Sequence, residues 1–218
     1  LTEGLQVQEI AFEPEDITVE NLNFLKEKTS FKWIPTPNMV SNLRSTKDEE
    51  EIKLIQKAID IADSSFNTIS ENIKPGITEK EIAWELEKHI RNLGAESLSF
   101  ETIVASGPNS AKPHHSPSNR IIQEKEPIVI DMGAKYLGYC SDLTRTIFLG
   151  KADEQYNKVY DTVLIAQLTA IETLQKGMSG EEIDELARSI ITNSGFGNNF
   201  GHSLGHGVGL EVHENPDI

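Results

Sequence analysis

Between Thr46 and Gly94 the apolar residues fall at helical spacing. Ile52, Ile55, Ile59, Ala62, Phe66 and Ile69 recur every three or four positions, which predicts one apolar stripe along a long helix. Thr46-Lys47-Asp48-Glu49 reads as its capping box, and Pro75-Gly76 stops it. Thr78-Glu79-Lys80-Glu81 is a second capping box; it opens a shorter helix marked by Ile82, Leu86 and Ile90 and ended by Gly94. Phe100 to Ala105 then reads as a strand, and Ser106 to Asn119, rich in Pro, Ser and Asn, as a loop. Ile128-Val129-Ile130 and Thr146-Ile147-Phe148-Leu149 are apolar strand segments on either side of a turn at Gly138, the pattern of a β-hairpin. Helices are predicted from about Asp153 to Lys176 and from Ser179 to Asn193.

The pattern contains an echo. Thr78 to Ser179, Glu81 to Glu182, Ile82 to Ile183 and Gly94 to Gly195 share an offset of 101. Each copy reads as long helix, break, capping box, short helix, glycine. Two helical hairpins using common caps would give the same signal, because such caps recur freely. The sharper reading is a duplicated α+β half-domain. The first copy then continues into a strand, a His-bearing loop and an Asp-bearing hairpin, whereas the hairpin of the second would lie beyond Ile218.

The start of the chain is different in kind. Val7 to Phe12 reads as a strand and Ile17 to Lys28 as an amphipathic helix, too little to form a core by themselves. Pro35 and Pro37 mark residues 31–44 as an extended connector. Residues 1–37 are therefore expected to be the tail of an N-terminal domain with its connector, and 38–218 a second domain.

Composition narrows the function. A formal charge of −15 on 218 residues argues against nucleic acid, whose phosphates need a basic surface. The single cysteine, Cys140, excludes an internal disulfide and fits a reducing compartment. No apolar run approaches the ~20 residues that span a bilayer, and no basic-then-apolar leader opens the chain. A cytoplasmic protein without membrane partners is the expectation.

Candidate chemistry lies in acids and imidazoles. Asp131 and Asp142 are 11 positions apart across the expected hairpin, where alternate side chains share a face. Asp131 ends a buried apolar run, and an unpaired carboxylate there would cost several kcal/mol. It therefore wants a cation or a hydrogen-bond cluster. Singly, each also fits a plain role: Asp131 as cap of the turn at Gly133, Asp142 as a solvated edge residue. Five of the six histidines fall in clusters, His114-His115, His202-His206 and His213, while His89 sits on a helix pattern as a surface residue. His206 is flanked by Gly205 and Gly207, where absent side chains permit close approach, and His213 stands beside Glu214.

Together these residues resemble the "pita-bread" metallopeptidases of family M24, in the branch of Xaa-Pro aminopeptidases and Xaa-Pro dipeptidases (prolidases). The resemblance is carried by Ile130-Asp131-Met132-Gly133-Ala134, by Tyr139-Cys140-Ser141-Asp142-Leu143-Thr144-Arg145-Thr146, and by the segment from Gly201 to Glu214. Val104-Ala105-Ser106-Gly107-Pro108-Asn109 with Pro113-His114 adds a fourth motif, and Leu43-Arg44 with Lys47-Asp48-Glu49-Glu50 resembles the start of the family's catalytic domain. It implies an α+β pita-bread fold of pseudo-two-fold duplicated half-domains, truncated at both ends, with the C-terminal strands missing. It implies two divalent metal ions, manganese first, with cobalt, iron or zinc as substitutes. Asp131, Asp142 and His206 would be metal ligands. His114 and His213 would bind substrate and stabilise the tetrahedral intermediate, with His202 near the substrate's proline end, and Thr144 would support a ligand. Two glutamate ligands that the family draws from later strands have no counterpart up to Ile218. The implied activity of the complete protein is hydrolysis of the N-terminal Xaa-Pro bond of proline-containing peptides by a dinuclear metal-activated hydroxide, in a homodimer. The alternatives are a strict Xaa-Pro dipeptidase and a non-catalytic peptide-binding relative.

Overall fold

The structure, a computed structural model, describes residues 7–218. Two compact units divide it, one up to Thr46 and one from Lys47 to Ile218. In the first, β1 (Glu9–Phe12) pairs in parallel with β2 (Lys32–Pro35), and α1 (Val19–Lys28) makes the crossover between them. Parallel strands need such a crossover, which is why residues 32–35 form a strand in the stretch expected to be an extended connector. A short helix, α2 (Met39–Arg44), follows.

The second unit opens with α3 (Glu49–Ser70). Its cap is Asp48, not Thr46. The Asp48 carboxylate accepts from the backbone N–H groups of Glu50 and Glu51, both at 2.9 Å, and the Glu51 carboxylate accepts from Asp48 N at 2.7 Å. The expected frame was two residues early because Thr and Asp are both capping residues, and the charged Asp gains more at the positive helix end. Thr78 and Glu81 do form the predicted capping box of α4 (Glu79–Asn92). His89, in its last turn, is half-buried rather than a surface residue.

Beyond the short strand β3 (Ser97–Leu98), β4 (Ile103–Ser106), β5 (Pro127–Met132) and β8 (Leu143–Phe148) form an antiparallel sheet in the order β4-β5-β8. Period-2 alternation divides its central strand. Ile128, Ile130 and Met132 are buried in the core with Ile61, Ala62, Ile82, Leu86 and Ile90 from α3 and α4. Val129 and Asp131 are left for the opposite face.

The expected hairpin is more elaborate than one turn. Between β5 and β8 lies a smaller hairpin, β6 (Ala134–Tyr136) and β7 (Tyr139–Cys140). Its two-residue turn, Leu137-Gly138, has positive φ at both positions (46° and 88°), the primed geometry that follows strand twist. Asp131 therefore stands opposite Thr144, and Asp142 lies just before β8.

The helical echo is present. α5 (Glu154–Thr173) and α6 (Gly180–Asn193) pack through Ile191 and through Ala166, Ala170 and Ala187, three small residues that let the helices approach closely. Ser179 and Glu182 repeat the capping box of Thr78 and Glu81. Last come β9 (His206–Gly207) and β10 (Glu214–Asp217), an antiparallel pair. Among the described residues no helix is long and apolar enough to cross a membrane.

Candidate metal centre and its histidine loops

The acidic pair is assembled by a backbone crossing. Gly133 follows Asp131 by two positions, and Ser141 precedes Asp142 by one. A Cβ on Gly133 would strike the Ser141 carbonyl and lie 2.6 Å from Ser99 Oγ, so only glycine lets these strands cross this closely. Ser141 is buried and donates to the Ala58 carbonyl of α3 at 3.1 Å while accepting from Ala134 N at 3.0 Å. Ser99 Oγ donates to the Ser141 carbonyl at 2.7 Å. Both aspartates thus hang from a rigid joint.

Asp131 Oδ1 accepts from Thr144 Oγ1 at 2.8 Å, across the register that pairs them. Burial pushes the Asp131 carboxyl above the usual carboxylate range; the Thr144 hydroxyl opposes this, the Asp142 charge adds to it, and His114 opposes it. Two carboxylates within reach of each other repel, and a cation between them would relieve that repulsion. His206 approaches from β9, its Nε2 3.5 Å from Asp142 Oδ2. Its Nδ1 lies 2.9 Å from the Gly207 carbonyl, which can only accept, so that bond places a proton on Nδ1 and leaves Nε2 as the ring nitrogen open to a cation. Metal–oxygen and metal–nitrogen bonds run about 2.0–2.2 Å, so donors at this spacing can share one ion.

The other histidines divide. The His213 and His206 rings lie 4.1 Å apart between centroids. His114 is exposed on the loop after β4, near enough to act on the Asp131 charge. His202 does not join them in its described contacts: it meets Phe200 edge-on at 5.0 Å, and its Nδ1 lies 2.7 Å from the Ser203 carbonyl. Its place is set by Arg188, which donates to the carbonyls of Phe200 (3.0 Å) and His202 (2.8 Å), while Asp184 accepts from Leu204 N at 2.9 Å and pairs with Arg188. Arg188 holds the Asp184 carboxyl below its usual range.

Two supporting groups were given no role in the sequence. Glu214 places its carboxylate 3.0 Å from Lys47 Nζ and accepts from Glu211 N at 3.1 Å, fixing the segment beside His213. Gly207 and Gly209 make room for this, since a Cβ at either would strike Glu214 or Asn215. The second is Glu79, fully buried at the start of α4. Its signal was an acidic residue in a first helical turn facing a loop rich in Ser, Asn and His.

Among the described residues no three His, Cys, Asp or Glu side chains close into a group that holds a metal by themselves. The adjoining pairs, Asp131 with Asp142 and Asp142 with His206, offer oxygen and imidazole donors suited to a hard or borderline divalent ion. They fit part of such a site.

Comparison with known proteins decides the lineage. Residues 53–218 match Metallopeptidase family M24. The chain belongs to that family. It is 44% identical over 200 residues to the Xaa-Pro dipeptidase of Pyrococcus furiosus, covering 92% of this chain and 57% of that protein. It is similar to the solved Xaa-Pro dipeptidase from Bacillus anthracis at 42% identity and a TM-score of 0.96, covering 99% of this chain and 61% of the other. The X-Pro aminopeptidase from Thermotoga maritima MSB8 gives 40% identity and a TM-score of 0.91, covering 99% and 62%. This M24 chain therefore has the pita-bread fold and spans roughly three fifths of the length of these relatives.

Proposed function

We propose that the complete protein is a metal-dependent exopeptidase that hydrolyses the Xaa-Pro bond at the N-terminus of proline-containing peptides. The observation that carries this is that Asp142 adjoins both Asp131 and His206 Nε2 in a chain of the M24 family. These three residues would hold divalent metal ions, with manganese the first to test. When bound, such ions polarise a carbonyl and lower the pKa of water, so that hydrolysis proceeds at neutral pH.

The chain's own residues supply the rest. Thr144 holds one face of the Asp131 carboxylate through its 2.8 Å bond, leaving Oδ2 for a cation. His213, beside His206, and His114, on its loop, are the donors for the substrate carbonyl as negative charge develops on it; one such donor is typically worth ~3 kcal/mol. His202, earlier in the same segment, is assigned to the proline end of the substrate. Proline lacks an N–H, so a pocket shaped for a tertiary amide favours it. A homodimer and, from the unpaired buried Cys140, a reducing cytoplasm belong to the same reading.

The test assays the complete gene product on Xaa-Pro peptides after metal removal and after addition of manganese. Metal-dependent release, abolished in His206→Ala together with metal binding, is expected. Release that ignores metal, or survives His206→Ala undiminished, defeats the proposal. A strict dipeptidase is the second reading, favoured by the names of the P. furiosus and B. anthracis relatives. A series Xaa-Pro-(Yaa)n decides: cleavage confined to the dipeptide selects it, and cleavage of longer members selects the aminopeptidase.

A further inference from the structure

Glu79 has no part in the chemistry just described, yet it is among the most heavily bonded groups in the molecule. It is fully buried at the first position of α4. Its carboxylate accepts six hydrogen bonds. Oε1 takes Ser106 N (2.8 Å), Ser106 Oγ (2.8 Å) and Asn109 Nδ2 (3.0 Å). Oε2 takes His115 Nε2 (2.8 Å), Ser118 N (3.1 Å) and Ser118 Oγ (2.6 Å). All four partner residues lie in the last residue of β4 and the loop that follows it, and His114 lies inside that loop.

The same loop is pinned at its ends. Backbone N–H groups of Glu79 and Lys80 donate to the carbonyls of Arg120 and Ser118, each at 3.2 Å. Arg120 donates to Ser106 Oγ at 2.6 Å and forms a two-point pair with Glu126 at 2.7 and 2.6 Å, so its guanidinium ties the loop's first residue to its last turn. At Gly107, with φ +50°, a Cβ would run into that pair. Loops of this length are ordinarily mobile. Here one carboxylate gathers positions 106, 109, 115 and 118, and the His115 bond fixes the residue next to His114.

We infer that Glu79 is the positioning residue for His114: it sets the loop from Ser106 to Ser118 and with it the place of the His114 imidazole. His115 is then a strut that donates Nε2–H to Glu79, not a second reacting imidazole. The inference rests on the proposed peptidase reading for what His114 does, and on the hydrogen bonds alone for what Glu79 holds.

Glu79→Gln in the complete protein is the test, because it keeps shape and replaces one acceptor oxygen with an amino group facing three donors, one of them a backbone N–H. Two measurements are made. Hydrogen–deuterium exchange of metal-free protein is expected to rise about tenfold or more over residues 107–118, with β5 and β8 still protected. Unchanged exchange, or a rise spread evenly through the sheet, overturns the inference. On an Xaa-Pro substrate, kcat is expected to fall about tenfold or more with KM little changed, and the same substitution in a His114→Ala background is expected to add nothing. An equal loss in both backgrounds overturns it. If Glu79→Gln fails to fold, His115→Leu and His115→Gln replace it: the Gln variant keeps an N–H donor and should retain loop protection that the Leu variant loses, and equal behaviour of the two counts against the inference. A wild-type protein inactive on Xaa-Pro peptides defeats the peptidase reading, and the exchange measurement still decides whether Glu79 holds the loop.

Discussion

Replacing Gly133 with Ala tests the joint that brings the acidic pair together. Gly133 has no left-handed φ, so the backbone tolerates alanine and the penalty is steric alone. The added methyl would meet the Ser141 carbonyl, with Ser99 Oγ at 2.6 Å and Phe100 Cε1 at 3.0 Å. None of these yields easily: the carbonyl is main chain, and the Ser99 hydroxyl is bonded to it at 2.7 Å. Overpacking of this kind costs about 1–3 kcal/mol. Lower unfolded-state entropy of alanine returns about 0.4–1 kcal/mol. Because two obstacles are bonded to each other, the loss belongs at the upper end, about 2 kcal/mol net. For a unit of this size that lowers Tm by about 4–8 °C. Strand separation at this point also displaces Asp142 from Asp131, so manganese affinity should fall by about tenfold or more. Calorimetry and titration of metal-free protein measure both, with Gly201→Ala, where nothing lies within 4 Å of the new methyl, as the control. A Gly133→Ala protein that melts within about 1 °C of wild type and binds manganese unchanged would refute the crossing argument.

Lys47→Met removes the ammonium from a Glu214 carboxylate whose side chain is 5% exposed, and should destabilise by up to about 3–5 kcal/mol, less whatever the Glu211 N–H bond retains; urea melts that match wild type would contradict this. For Glu126, the hydrogen bonds from Arg120 hold the carboxyl below its usual range, with burial opposing and Gln123 N helping. Its contribution is complete above the unfolded value, about 4.3, and is lost as pH falls towards the lowered folded value. Comparing wild type with Glu126→Gln in urea between neutral and acidic pH should give a gap that is constant above that value and closes below it; a gap that widens on acidification would reverse the assigned sign.

Helices were the most legible part of the chain, because their apolar residues recur over several turns. α3, α4, α5 and α6 all stand where periodicity placed them, with α5 ending at Thr173 rather than Lys176. The sheet was legible at β5 and β8 but not between them. A single glycine marked a turn, and nothing in a run such as Ala134-Lys135-Tyr136 announces that it pairs with Tyr139-Cys140 instead of continuing β5. The cap of α3 slipped by two residues because adjacent Thr and Asp offered competing frames. In the site, Asp131 and His206 drew notice because one ended an apolar run and the other stood between glycines, whereas Asp142 and His213 were assigned roles through the resemblance to the family. Glu79 was not, since a carboxylate in a first helical turn is ordinarily a solvated helix-end charge, and only tertiary folding reveals what it faces; nor was the Lys47–Glu214 pair, whose members lie 167 positions apart.

That limit explains where the two helical echoes diverge. The offset of 101 places Gly180 at the position of Glu79. A side chain there would strike the Asp217 carbonyl, so the second copy cannot hang its histidine segment from the first helical position. It uses Asp184 with Arg188 instead, one turn further along α6, and grips backbone groups of Phe200, His202 and Leu204. In the first copy the anchor binds mainly side chains of the loop, through Ser106, Asn109, His115 and Ser118. In the second, a glycine lets strand β10 close against the helix start. Each half thus suspends one histidine-bearing segment from the beginning of its short helix, by chemically different means. Similar caps preserve the helical frame, while the residues immediately inside those caps determine which loop each helix holds.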